Sequence, residues 1–158
     1  MDQLAIQRAH LLGFSDGGNI ALLFALRHPE RVERLVLNGA NLYPSGMLAP
    51  VWLAIVTLYA GACVASICTE KATRMRDMLG LMATQPHILK TSLATVPVPT
   101  LVIAGTHDLI RRSHTRLIAK SLPNARLCLL PGSHTVARDH PTLFNREVIP
   151  FFTSTDNP

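Results

Sequence analysis

The residues best suited to covalent chemistry begin with a serine between glycines, Gly13-Phe14-Ser15-Asp16-Gly17. An apolar run at 9–13 precedes it and a helical pattern follows. A turn of that kind pushes a side chain out of a sheet, and small flanking residues let strand and helix pass close together. A serine hydroxyl is a weak nucleophile without a base. Two later residues could complete it: Asp108 in Gly105-Thr106-His107-Asp108, and His134 in Pro131-Gly132-Ser133-His134. Serine would attack a carbonyl, histidine would carry the proton, and aspartate would hold the imidazole in one tautomer. The backbone N–H of Asp16 would lie at a helix N-terminus, where developing negative charge is stabilised. The loop has neither the Lys-Ser/Thr pair nor the glycine spacing of a phosphate-binding loop. His107, His114 and His140 stand as alternative bases. Asp16 reads either as a helix-start acid or as an attractor of a substrate ammonium group. Trp52, with Met47, Tyr59 and Met75, reads as pocket lining or as core.

Such residues need a scaffold that brings them to one edge. Apolar runs at 9–13, 34–39, 100–105 and 126–130 predict four short strands. Helical spacing over 19–28, 47–68, 69–84, 113–122 and 141–151 predicts the helices between and after them. Pro29 closes the first helix, and Pro141 suits the first turn of the last. Pro131-Gly132 is expected to end the fourth strand. Continuously apolar strands alternating with helices indicate an α/β fold whose mostly parallel sheet is covered on both faces. Ser15, Asp108 and His134 each follow a strand, so all three fall at the carboxyl edge where such sheets assemble sites.

Composition removes other classes. The chain has 158 residues, 48% hydrophobic and 16% charged, which excludes disorder and suits one domain. The net charge is +5, but the basic residues are scattered and aromatics are 5%, so no nucleic-acid partner is expected. Three cysteines make no disulfide framework, and Cys63 and Cys68 are expected as buried helical thiols. No metal or organic cofactor is indicated. The start lacks the apolar stretch of a secretory signal, which points to a cytoplasmic chain. No charge occurs between Arg34 and Glu70. The stretch 47–68 is long enough to span a bilayer, yet Pro50, Thr57, Tyr59 and Gly61 interrupt it. It is expected as a buried or pocket-lining helix rather than a membrane span.

The segments LLGFSDGGNIALLFALRHPERVERLVLNGA, VPTLVIAGTHD and 131–152 resemble the C-terminal part of an α/β-hydrolase fold protein. The resemblance implies a single partial domain over 1–158, with a helical cap at about 42–95. It makes Ser15 the nucleophile, Asp108 the triad acid and His134 the base of a serine hydrolase, acting on a small-molecule ester, thioester or related acyl substrate. The Ser-Asp-Gly-Gly elbow is similar to that of valacyclovir hydrolase-like serine esterases. By the same resemblance the chain is expected to be N-terminally truncated, lacking the family's first four strands and the loop that supplies a second oxyanion N–H. The strand at 9–13 would then be an uncovered edge, open to self-association. The competing expectation is an inactive fragment or pseudo-enzyme that binds a partner through that edge.

Overall fold

The computed structural model describes residues 1–154. Four strands, β1 (Ala9–Phe14), β2 (Val32–Asn38), β3 (Thr100–His107) and β4 (Ala125–Ser133), form one sheet in chain order. All three pairings are parallel. Right-handed crossovers between neighbouring parallel strands put every connecting helix on the same face. That face carries α1 (Asp16–Arg27) and, between β3 and β4, α4 (Arg112–Ser121). Leu22 and Ala25 of α1 and Ile118 of α4 pack there on Leu35, Leu37 and Val102. The chain reaches the opposite face only after β4, through the short α5 (Val136–Asp139) and then α6 (Pro141–Thr153). Phe144, Val148 and Phe151 of α6 cover Val36, Leu101 and Ile103.

This topology leaves β1 thinly covered. It pairs with β2 alone among the described residues, and its outward side chains Leu12 and Phe14 are 46% and 42% exposed. His10, on the same side, stacks on Phe152 at 5.0 Å between ring centroids.

Between β2 and β3 the chain forms two helices, α2 (Ala49–Ala65) and α3 (Glu70–Thr84), packed together as a hairpin over the carboxyl edge of the sheet. Thr69 caps α3 by accepting the Ala72 N–H. Among the described residues no helix is long and apolar enough to cross a membrane.

Four expectations are corrected. β4 runs through Pro131-Gly132 to Ser133. It is the last strand in the sheet order, where the N–H that Pro131 lacks is not needed for pairing. α1 begins at Asp16 rather than Asn19, because Gly17 and Gly18 are already helical. Cys68 is exposed in the turn between α2 and α3, and Cys63 is half-buried, so neither thiol belongs to a core. Of the two readings of the uncharged stretch 47–68, burial is not met, since on α2 only Ile55 and Ala62 are buried, whereas Met47, Val51 and Ile55 do line a pocket.

Candidate active site

Ser15 sits between β1 and α1 with φ 52 and ψ −121, a conformation that side-chain-bearing residues avoid. Such backbone costs about 1–3 kcal/mol and persists only where its surroundings impose it. Here the Ser15 N–H donates to the Asn38 carbonyl at 2.8 Å, extending the β1–β2 ladder, while Gly18 and Asn19 N–H groups return to the Ser15 carbonyl. The turn is tight enough that a β-carbon on Gly13 would lie inside the Gly17 carbonyl. Gly17 itself has nothing within 4 Å of such a carbon. The second close approach falls on Gly18, whose β-carbon would meet the Ala40 Cβ at 3.0 Å and the Gly13 oxygen at 3.1 Å.

Asp108 follows β3 and is 7% exposed. One carboxylate oxygen, Oδ1, accepts the Ile110 N–H at 2.9 Å and the His134 Nδ1–H at 2.7 Å. The other, Oδ2, is buried without a hydrogen-bond partner among the described residues. A carboxylate accepts only, so the His134 proton sits on Nδ1 and leaves the Nε2 lone pair free. Nε2 lies 3.0 Å from Ser15 Oγ, placed to accept its proton. Ser15, His134 and Asp108 therefore stand in one hydrogen-bonded line.

The loop bearing His134 is pinned on both sides. Ser133 and Thr135 hydroxyls both donate to the Asp139 carboxylate, and the Thr135 N–H donates to Ser133 Oγ. Phe14 packs on the imidazole at 4.9 Å between centroids. Gly39, at φ +64, closes the far side: a β-carbon there would lie 2.8 Å from His134 Cε1 and 3.0 Å from Nδ1.

The other histidines stand elsewhere. His107 Nδ1 is 3.1 Å from the Thr106 hydroxyl at an exposed position. His140 is exposed, against Gly132. His114 is buried, 4% exposed, and its Nε2 accepts the Leu42 N–H at 2.9 Å. Burial, reinforced by the Arg111 charge, pushes its pKa down to about 4.

A narrow cleft of about 40 Å³ opens at Ser15. Asp16, Asn41 and Gln85 supply its polar wall, and Met47, Val51, Ile55 and Met82 part of its apolar wall. Trp52 is not among its lining residues: its indole N–H donates to the Ala83 carbonyl at 3.3 Å and the ring is 40% exposed. Val51 and Ile55, on the adjacent stripe of α2, take the place expected for it. Tyr59 packs on Gly80, and Met75 lies in a separate groove between α2 and α3.

The Asp16 N–H opens α1, where helix amides have no intrahelical acceptor. The loop after β2 has little to add as an oxyanion donor. The Gly39 N–H donates to the Ile103 carbonyl, that of Asn41 to Asn19 Oδ1, and that of Leu42 to His114. Asn19 and Asn41 form a reciprocal pair, since Asn19 Nδ2 also donates to Asn41 Oδ1 at 3.0 Å. Asn19 Nδ2 lies 3.3 Å from Asp16 Oδ1 as well, tying α1, the acid beside Ser15 and the loop after β2 together. Sequence reading missed this pair and the anchoring role of His114. The available signal was an asparagine one helical turn after Ser15 on a face that should otherwise be apolar.

Among known proteins, the family described as alpha/beta hydrolase fold matches residues 1–64. Carbamate hydrolase RutD of a Caulobacter strain is 31% identical over 97% of this chain and 68% of its own length. Mouse serine hydrolase BPHL is 28% identical over 96% of this chain, which spans 57% of that protein. Among solved structures, a hydrolase from Pseudomonas aeruginosa superposes with a TM-score of 0.71 at 31% identity, over 97% of this chain and 68% of that one. A meta-cleavage product hydrolase from Pseudomonas fluorescens superposes at 0.73 with 25% identity, over 99% and 68%.

Proposed function

The chain belongs to the alpha/beta hydrolase fold family, and from that premise we propose that it is a serine hydrolase of small esters, thioesters or related acyl compounds. The observation that carries the reading is the line from Asp108 through His134 to Ser15 Oγ, at 2.7 and 3.0 Å. Ser15 Oγ attacks the substrate carbonyl as its proton passes to His134 Nε2. The imidazolium is stabilised by Asp108 through Nδ1–H. The oxyanion forms against the Asp16 N–H. As the C–O or C–S bond breaks, Nε2–H protonates the leaving group, giving an acyl-Ser15 intermediate. Water then gives its proton to Nε2 and attacks the acyl carbon, and the proton returns to Ser15.

The cleft favours short acyl groups, because about 40 Å³ beside Ser15 admits little more unless α2 and α3 move. Asp16 lines that cleft and would favour a substrate carrying an ammonium group. The test is hydrolysis of short chromogenic esters, acetate against octanoate, by the chain and by Ser15→Ala. Turnover of the acetate that disappears in the variant supports the proposal. Turnover unaffected by the substitution refutes it.

A second property follows from β1. Among the described residues no strand lies on its other side, beside exposed Leu12 and Phe14, and strand N–H and C=O groups next to apolar side chains favour pairing with another chain. Self-association through this edge is proposed on that basis.

A further inference from the structure

A surface helix ordinarily turns charged or polar residues to solvent. On α2 the exposed face is apolar. Leu53 and Val64 fall on one stripe and are 62% and 71% exposed, Leu58 at 61% lines the side toward α3, and Ile67 just beyond the helix is 84% exposed. Residues 35–69 contain no charge at all. Beside this stripe, α3 turns Met75 and Met78 outward at 45% and 53% exposure. Between the two helices runs a shallow groove of about 540 Å³, lined by Leu58, Ala62, Ala65, Ala72 and Met75, with Lys71 at its rim. Lys71 has no ion-pair partner among the described residues. Arg74, one turn along, is only loosely paired to Glu70, at 3.6 Å with both side chains more than four-fifths exposed.

We propose that the α2–α3 hairpin docks on an anionic lipid surface, its apolar stripe sunk to the acyl boundary and Lys71 and Arg74 at the headgroups. An uncharged helical stripe beside basic side chains is the arrangement that holds a helix in the plane of a membrane interface. The basic rim selects lipid over a second copy of the chain. A two-fold contact whose axis crosses the helices would set Lys71 and Arg74 of each copy against those of the other, whereas an anionic headgroup layer compensates them in any orientation. The groove, walled by alanines and open along its length, has room for a lipid acyl chain. The opposite faces of the same helices contribute Val51, Ile55 and Met82 to the Ser15 cleft. Docking would therefore bring that cleft close to apolar material. The inference does not depend on the reaction proposed above, and its test reads no activity.

The full chain is mixed with vesicles of phosphatidylcholine, with or without phosphatidylserine, then sedimented. The chain's one tryptophan, Trp52, lies on α2 and reports the contact by its emission. Phosphatidylserine vesicles are expected to carry the chain down and shift Trp52 emission to the blue. Leu58→Glu with Val64→Glu should reduce the bound fraction by about tenfold or more. Lys71→Glu should reduce it about fivefold or more on phosphatidylserine vesicles and not on phosphatidylcholine. Both substitutions lie at exposed positions, and circular dichroism checks that the variants remain folded. Leu12→Glu, on β1, should leave binding intact. Several results would overturn the proposal: no sedimentation, unchanged Trp52 emission, or equal binding by the double variant. Binding lost only in Leu12→Glu would do the same by moving the contact to β1. So would a dimer that the double variant dissolves without any vesicle binding, since a second copy would then cover the stripe.

Discussion

His114 should make the protein acid-sensitive in a way that its own replacement can expose. Its ring is buried against Gly46 and Tyr43, and Nε2 accepts the Leu42 N–H. Burial disfavours the charged ring and the Arg111 charge adds to this, which is why the pKa falls from 6.5 to about 4; protonating Nε2 would also break the bond from Leu42. Between those values the unfolded chain binds a proton that the native chain does not. Stability is therefore complete above pH 6.5, declines as pH falls toward 4, and loses no more from this group below 4. The full shift corresponds to about 3 kcal/mol, and solvent screening around the ring reduces the expected loss to about 2 kcal/mol. Urea unfolding at pH 7 and pH 4 of the chain and of His114→Gln isolates the effect, because other titrating groups are common to both. Gln can still accept the Leu42 N–H but cannot titrate. The native chain should lose about 2 kcal/mol more than the variant between the two pH values. Parallel losses would refute the buried, neutral histidine and the anchor it gives the loop after β2.

Gly39→Ala should push the His134 ring aside and lower kcat/KM by about 10²-fold, because its β-carbon would meet that ring at 2.8 Å. Gly17→Ala, with no neighbour in the way, should keep activity and raise stability by about 0.5–1 kcal/mol in thermal melts. Asp16→Asn should raise KM about tenfold for an amino-acid ester and leave a neutral ester of the same size nearly unchanged. Equal effects on both esters would restrict Asp16 to the helix start. Light scattering over a concentration series should show association through β1 that Leu12→Lys reduces; a monomer at every concentration would remove that proposal.

The strands and the three aligned side chains were legible because each strand carries a short apolar run, with β-branched residues in β2 and β3, and each chemical residue stands just beyond one. Strand ends depended on context. Pro131-Gly132 reads as a stop, yet an edge strand tolerates a missing donor, and β4 continues to Ser133. Of the two glycines flanking Ser15, Gly13 makes the close approach, against the Gly17 carbonyl, while Gly17 faces open space and the second approach falls on Gly18 against Ala40. Periodicity could not choose between Val51 and Trp52 as cleft wall: adjacent residues on a helix differ by about 100° in direction, and α2 is apolar around its whole circumference. The same uniformity hid its exposure, because burial depends on what packs against a helix as much as on its own residues. The Asn19–Asn41 pair and the His114 anchor join residues 22 and 72 positions apart. Such contacts come from tertiary packing, which local pattern does not encode.

The central claim is that Ser15 is a nucleophile made reactive by His134 and Asp108. A fluorophosphonate reacts with an activated serine and leaves a covalent adduct that peptide mass spectrometry can locate. One adduct per chain is expected, on Ser15, absent in Ser15→Ala and formed on the order of 10³–10⁴ times more slowly in Asp108→Asn, where the imidazole tautomer is no longer held. An adduct elsewhere, no adduct on a folded chain, or labelling indifferent to Asp108→Asn would contradict it.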